Sequence, residues 1–452
     1  MYKRSLPTAV ALAGLSIGAQ AQAAESAQHG FIEDSTASIT ARNFYINQDN
    51  RDGAAKPSKQ EEWGQGFILN LQSGFTQGTV GFGVDAIGLL GVRLDSGKGT
   101  AYNSGSVGKG GIVFPSDSDG RAVDEFSSLG LTAKARISKT ELRLGTLMPK
   151  LPVVTYNDGR LLPQTFEGGQ VTSNEIDGLT LVGGKLEHAK GRNSSNNESL
   201  TIAGSNGNPI TAKSNQRSNE FYYAGGDYKI TKDLTAQYYY GNLEDFYKQH
   251  FLGLTHNWAL PVGSLKSDLR YFYSDSDGKN ASQEGRIAGY RSTGYNNKNG
   301  EVDNRTWSAK FTYSLEGHAL SAGYQRVNGT SDFPFLNQGD GSSSYLITDV
   351  QIGKFQRAGE RTWLAGYAYD FAAIGLPGLT TSVMYLKGDN IAAASYDRSE
   401  WERDFTLGYV IPEGSLKGLG FTWRNAALRS DAAGQRDQDE NRLIVSYTYK
   451  FF

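Results

Sequence analysis

Basic side chains recur on one parity of alternating apolar and polar segments, and they are the residues of this chain best suited to a chemical task. Side chains alternate across a strand with period two. In segment 37–47, Ala37, Ile39 and Ala41 take one face and Arg42 the other. The same count sets Asp85 and Arg93 opposite Val80, Phe82, Val84 and Ala86, and puts Lys134, Arg136 and Arg143 on the polar face of the next two segments. Arg270 opposes Leu269, Tyr271 and Tyr273; Lys310 opposes Trp307, Ala309, Phe311 and Tyr313. Arg424 lies beside Phe421 and Trp423, and Arg442 opens the final segment. On this count few carboxylates reach the same face from strand centres, much of the acid falling in connections. Fixed cations in series attract anions, and several weak sites let a solute leave where one strong site would hold it. The ordinary alternative is that each cation pairs with an inward carboxylate such as Asp85 or Glu141.

A second group stands outside these segments. Within 148–174, Asn157-Asp158-Gly159-Arg160 sits among apolar residues and Pro149, Pro152 and Pro163. Such a composition on a loop predicts packing, most simply inside the barrel to narrow it. The planar Arg160 guanidinium then suits bidentate recognition of a carboxylate, with Asp158 beside it and Tyr156 offering an aromatic face. The competing structural role is an ion pair tying the loop to the wall, and for Phe166 simple packing is favoured.

Enzymatic chemistry has little support. The five histidines are His29, His188, His250, His256 and His318, and no Cys/His or acidic cluster has metal-ligand spacing. No G-x-S-x-G elbow occurs, and Gly81-x-Gly83 sits inside a strand pattern rather than a phosphate loop. A serine and histidine brought together on a barrel surface is the hydrolase alternative, decided by the five histidine neighbourhoods. No cofactor or metal is expected.

The elements that must position the cations are strands. Alternation is clear at 37–47, 63–72, 79–93, 128–137, 140–147, 234–243, 269–274, 307–315, 319–325, 361–371, 379–386, 405–411 and 418–424. It is weaker at 179–187, 220–229, 246–258 and 345–352, and it closes with RLIVSYTYKFF at 442–452. There Leu443, Val445, Tyr447, Tyr449 and Phe451 share one face while Arg442 and Lys450 end the other. An apolar face against a charged one is expected where one side meets lipid and the other water. These segments predict an all-β, transmembrane antiparallel barrel of about 18 strands with inward-folded constriction loops. Roughly 24 residues per strand and connection suits strands of ~10 residues with short turns at one end and long loops at the other. The links 73–78 and 138–139 read as periplasmic turns, and 95–124, 190–218, 275–303 and 327–344 as extracellular loops. By parity Phe452 falls on the lumen side unless the strand end bulges.

Composition agrees. The chain has 56 Gly, 25 Tyr, 21 Phe and no Cys, a formal net charge of -2 and a negative mean hydropathy. Near-neutral charge speaks against nucleic acid as a partner. Lys3 and Arg4, an apolar run over 9–19 and Ala21-Gln22-Ala23 predict a signal peptide over 1–23, with the barrel over 24–452. That run is too short for a membrane anchor.

The chain resembles the OprD-type outer-membrane porins, which are substrate-specific carboxylate channels. FIEDSTASITARNFY, DEFSSLGLTAKAR, NDGRLLPQTFEGG, NLEDFYKQ, AGYQRVNG and ENRLIVSY carry the resemblance over nearly the whole mature chain. It implies a barrel of about 18 strands with loops folded into the lumen and a basic ladder leading to a narrow eyelet. Arg160 then looks like the eyelet arginine, with Arg42, Arg424 and Arg93 as ladder members; parity adds Arg136, Arg270 and Arg442. Residues 327–344 resemble a further inward loop, bringing Asp340 and Ser342 near the eyelet. NDGRLLPQTFEGG and LTTSVMYLKGDN are similar to the benzoate- and vanillate-type group, although inward Met384 stands where an arginine would extend the ladder. The expected function is passive uptake of small aromatic or cyclic monocarboxylates at the bacterial outer membrane, with a channel for basic amino acids as the family alternative. The expected partners are small carboxylate substrates and outer-membrane lipid, the chain acting as a monomer or a weak homotrimer.

Overall fold

The computed structural model describes residues 30–51, 58–96, 111–117, 120–203, 216–294, 300–337, 343–393 and 396–452. The expected signal peptide, Asp340 and Ser342 lie outside the described residues. Eighteen strands, each antiparallel to its neighbours, close into a barrel. They are β1 (Thr36–Asn50), β2 (Lys59–Gln72), β3 (Gly81–Asp95), β4 (Glu125–Ile137), β5 (Thr140–Leu147) and β6 (Thr165–Ile176). Next come β7 (Leu179–Lys190), β8 (Phe221–Lys229), β9 (Leu234–Leu243), β10 (Tyr247–Ala259), β11 (Ser264–Ser276) and β12 (Asp303–Leu315). The last are β13 (His318–Gly329), β14 (Arg361–Asp370), β15 (Leu379–Ile391), β16 (Arg398–Val410), β17 (Gly420–Ser430) and β18 (Gln438–Lys450).

Closure follows from the termini. Ala41 of β1 faces Phe67 of β2 on one side and Tyr447 of β18 on the other, so no edge is left to pair with another chain. No described helix is long and apolar enough to cross a membrane; the strands cross it. Their outward residues are the apolar parity, with Leu129 71% and Leu131 57% exposed on β4, as a lipid-facing surface requires. At one end the links are short. Glu316 (φ 46°) and Gly317 (φ 87°) join β12 to β13, a two-residue turn with both positions left-handed. At the other end run the long connections 96–124, 191–220, 277–302 and 330–360. In barrels of this kind the short turns face the periplasm.

The strand number agrees with the sequence pattern only because two assignments exchange. Residues 345–352 are not a strand; they belong to the loop between β13 and β14. In their place β6 takes the second half of the segment expected to be loop through Asn174, so that loop ends at Gln164. Gly168 and Gly169 carry no side chain to mark parity, and a bulge between Glu167 and Gly168 shifts the register there. The alternation of 345–352 serves burial instead: Leu346 and Ile347 enter different interior clusters.

The lumen is not uniformly polar. Val153, Phe221, Tyr239, Phe251, Phe333 and Leu346 belong to one apolar cluster, where loop residues pack on the inner wall. Phe44, Ile46, Ile68, Phe114, Leu161 and Leu162 belong to a second. Ile347, Phe355, Leu364 and Leu386 form a third, with Met384 against it. Met384 is therefore a packing residue for an inward loop. Close approach explains the glycines of β2: a Cβ on Gly64 would come within 2.5 Å of the Phe114 ring, and one on Gly66 within 3.0 Å of Leu161.

Candidate functional site

Two loops narrow the barrel, and each is held at both ends by burial. In loop 148–164, Val153 and Val154 enter the first cluster and Leu161 and Leu162 the second. Residues 155–160 must therefore pass between two wall patches. In loop 330–360, Phe333 and Phe335 enter the first cluster while Ile347 and Phe355 enter the third. Tyr156, packed against the first cluster, has its hydroxyl pushed up to about 12 by burial and then by the Asp158 carboxylate.

Wall arginines fix these crossings by donating to loop acceptors. Arg42 Nη1 and Nη2 reach Asp158 Oδ1 and Oδ2 at 2.7 and 3.2 Å, and Nη1 also donates to the Arg160 carbonyl at 2.7 Å. Arg442 joins both loops: Nη1 donates to the Gly159 carbonyl at 3.1 Å and Nη2 to the Gln351 carbonyl at 3.0 Å. Its Nε donates to Glu440 at 2.6 Å. Arg270 is bidentate to Asp268, donates to the Tyr345 carbonyl at 2.7 Å and stacks 4.0 Å from the Tyr345 ring. A planar fork with five donors on three nitrogens reaches loop acceptors on different sides at once, which a single ammonium point charge does not.

Wall carboxylates do the converse. Glu62 accepts the Val113 N–H at 2.6 Å, and Glu402 accepts Ile352 and Gly353 N–H at 2.8 and 2.6 Å. Asp404 accepts the Gln351 N–H at 3.3 Å. These inward acids correct the expectation that few carboxylates reach the lumen from the wall. Buried backbone donors need partners, and the acids supply them.

The expected site residues separate accordingly. Asp158 is the anchor held by Arg42, and Arg160 is 9% exposed with its guanidinium on the Ile112 carbonyl. Arg93 bonds the Ala122 carbonyl and Asp124, and Arg136 stacks 4.0 Å from the Phe75 ring. Lys134 contacts Asp85 at 2.6 Å, and Arg143 bonds Glu141. For these last two the pairing alternative holds. Arg424 differs. It faces inward beside its register partner Arg442, within electrostatic reach of Arg42, Asp404 and Glu440. It makes no hydrogen bond or ion pair among the described residues, and its buried Nε has no partner.

Of the histidines, His250 and His318 bond the hydroxyls of Tyr238 and Tyr367 at 2.9 and 2.8 Å. His188 lies 3.7 Å from Glu167, His256 stacks near Trp258, and His29 is outside the described residues.

Glu360, at the end of loop 330–360, offers a pH test. It is fully buried, accepts the Arg357 N–H at 3.0 Å, and lies near Glu400 and Asp332. Burial first, then the Glu400 charge, push its carboxyl well above the usual range. A raised carboxyl holds its proton in the fold, so its contribution is full below about pH 4, the unfolded value, and is lost as pH rises through the folded value. Glu360→Gln is expected to remove that loss. In thermal unfolding followed from acid to alkaline pH, the variant should gain on the wild type only towards the alkaline end; equal pH slopes would count against the protonated carboxyl.

A closed barrel with wall-clamped loops in its lumen and cations facing the passage is a substrate-selective outer-membrane channel. The chain belongs to the outer membrane porin, OprD family, whose model matches residues 29–451. It is 37% identical over 419 residues to the porin-like protein GalP of Pseudomonas putida, covering 92% of both chains. The crystal structure of Pseudomonas aeruginosa OccK8 (OprE) superposes with a TM-score of 0.85 at 64% identity, over 94% of this chain and 100% of that one. The structure of Pseudomonas aeruginosa OpdK with vanillate gives 0.80 at 35% identity, over 93% and 100%.

Proposed function

We propose that this porin passes small carboxylates, and aromatic or cyclic monocarboxylates in particular, between its two inward loops, with Arg424 as the cation that meets the solute. The observation that carries this reading is the unpartnered Arg424 guanidinium beside two arginines already committed to the loops. Arg42 and Arg442 are paired with Asp158 and Glu440 and spend their donors on the loops, while Arg424 keeps donors for a ligand. A carboxylate ~4 Å from such a charge gains about 4 kcal/mol at an effective dielectric of 20, before desolvation and screening reduce it. That residue of attraction favours entry without trapping. The aromatic preference is supported by half-buried Tyr156 and Ile444 near these cations and by the vanillate named with OpdK.

Arg424→Gln tests the assignment without disturbing a loop contact. In liposomes, benzoate uptake is expected to fall about tenfold, as the loss of one moderate charge contact implies, while glucose leakage stays unchanged. Planar-bilayer reversal potentials should shift towards cations. Wild-type benzoate uptake in the variant would remove Arg424 from the mechanism. Within a panel of benzoate, cyclohexanecarboxylate, arginine and glucose, preferential arginine uptake by the wild type would overturn the substrate class itself.

A further inference from the structure

The outer face of the barrel carries a second set of unpartnered cations, on the loop side of its aromatic girdle. On β12 to β15, outward Trp307, Tyr324, Trp363 and Tyr385 form a band, with ring centroids 5.4 Å apart for Trp307–Tyr324 and 5.3 Å for Trp363–Tyr385. Such bands mark the boundary between hydrocarbon and headgroups. One outward position further towards the long loops stand Arg305, Arg326, Arg361 and Lys387. Arg326 and Arg361 are register partners, and Lys387 faces Trp363 on one side and Trp401 on the other. The patch is therefore continuous across neighbouring strands.

Several other cations on the loop side are paired with acids. Arg51 and Arg429 each reach Asp439 at 2.8 Å, Lys185 reaches Glu220 at 3.2 Å and Lys279 reaches Asp245 at 2.7 Å. On the patch, Arg305 pairs with Asp303 at 2.9 Å. Arg326, Arg361 and Lys387 make no ion pair or hydrogen bond with any described residue, even though Asp389 is the register partner of Arg361. Three like charges on adjacent strands repel one another, and since they form no ion pair with Asp389 or any other described acid they are best satisfied by an external anion at that depth.

We infer that Arg326, Arg361 and Lys387 form a binding surface for a phosphorylated glycolipid of the outer leaflet, its phosphates on the cations and its acyl chains along the apolar wall below the girdle. Depth and charge together select this partner. The long-loop end faces the outside, where the anionic groups at headgroup level are lipid A phosphates, and the outward position excludes a solute in the lumen. Two guanidiniums match phosphate geometry bidentately, and the lysine adds a point charge.

The test is co-purification and titration of the full-length porin, in neutral detergent, with lipopolysaccharide of intact or enzymatically dephosphorylated lipid A. Wild-type protein is expected to retain intact lipopolysaccharide and to lose about tenfold or more in affinity for the dephosphorylated form, as neutralising several surface cations would imply. The triple variant R326Q/R361Q/K387Q should show the same loss towards intact lipid. K229Q/K232Q/K417Q, a matched change at the turn end, should not. Single-channel conductance should be unchanged in both variants, which separates a lost lipid contact from a damaged barrel. Equal affinity of the wild type for both lipid forms would overturn the inference without recourse to any variant. Binding to phosphatidylglycerol vesicles at least as tight as to lipopolysaccharide would overturn it too.

Discussion

Replacing Arg442 by alanine is expected to widen the channel and to weaken the barrel in one step. The side chain is 7% exposed and holds three acceptors: Glu440, the Gly159 carbonyl and the Gln351 carbonyl. Glu440 keeps amide contacts from Gln48 and Gln351 and the charge of Arg160, but loses the cation bonded to it. Breaking a buried pair from one side costs about 3–5 kcal/mol, because the remaining charge is uncompensated. The same deletion removes the side chain that fastens both loops to the wall, at Gly159 and Gln351, and leaves only the Thr155–Ser343 bridge and the shared apolar cluster between the loops among the described residues. Single-channel conductance should rise severalfold with added noise, and the midpoint of thermal unfolding should fall. Arg442→Lys separates the effects: a point charge answers Glu440 but cannot reach both carbonyls. Stability should then return largely and conductance only in part. Wild-type conductance in Arg442→Ala would show that the apolar clusters and the Thr155–Ser343 bridge hold the loops without Arg442.

The barrel was legible because its outward face is uniform. RLIVSYTYKFF alternates cleanly, and β18 pairs with β1 through the residues that alternation marks as outward, Tyr447 against Ala41. The terminal Phe452 was the doubtful position, and it lies past the strand end, 71% exposed. Legibility failed where an inward segment used the same pattern for another purpose. Residues 345–352 look like a strand although both parities pack, Leu346 into one cluster and Ile347 into another, which a local pattern cannot show.

The site was legible as parity but not as partnership. Arg42, Arg270, Arg424 and Arg442 all face inward as counted, yet only geometry shows that three of them donate to loop carbonyls or carboxylates. The acids were missed for a definable reason. Glu62, Glu402, Asp404 and Glu440 sit at the loop-side ends of β2, β16 and β18, beyond the apolar stretches that marked these strands. Extending each strand by a few residues at the same parity would have placed all four inside. That extension would also have shown that the wall offers both signs, so a net excess of cations says less about solute charge than the single cation left unpaired.

Lys134 supplies the contrasting case, and its removal should harm the fold while sparing selectivity. Its Nζ lies 2.6 Å from Asp85 and donates to the Ser73 carbonyl at 2.7 Å, with the two side chains 5% and 13% exposed. A shielded pair of opposite charges presents almost no net field to a passing anion, whatever its parity suggests. Lys134→Met strands the Asp85 carboxylate and is expected to cost about 3–5 kcal/mol. The double change Lys134→Met with Asp85→Leu removes both charges, and replacing a buried pair by apolar side chains is often neutral or stabilising by about 1–4 kcal/mol. Stability should therefore be lost in the single variant and recovered in the double, with benzoate uptake and reversal potential at wild-type values in the recovered protein. The opposite pattern, a stable Lys134→Met barrel with carboxylate flux reduced as in Arg424→Gln, would make Lys134 a rung of the ladder. The difference between these outcomes follows from solvation. A cation that has already exchanged its water for a carboxylate has little left to offer a substrate, whereas one facing the passage unpaired still does.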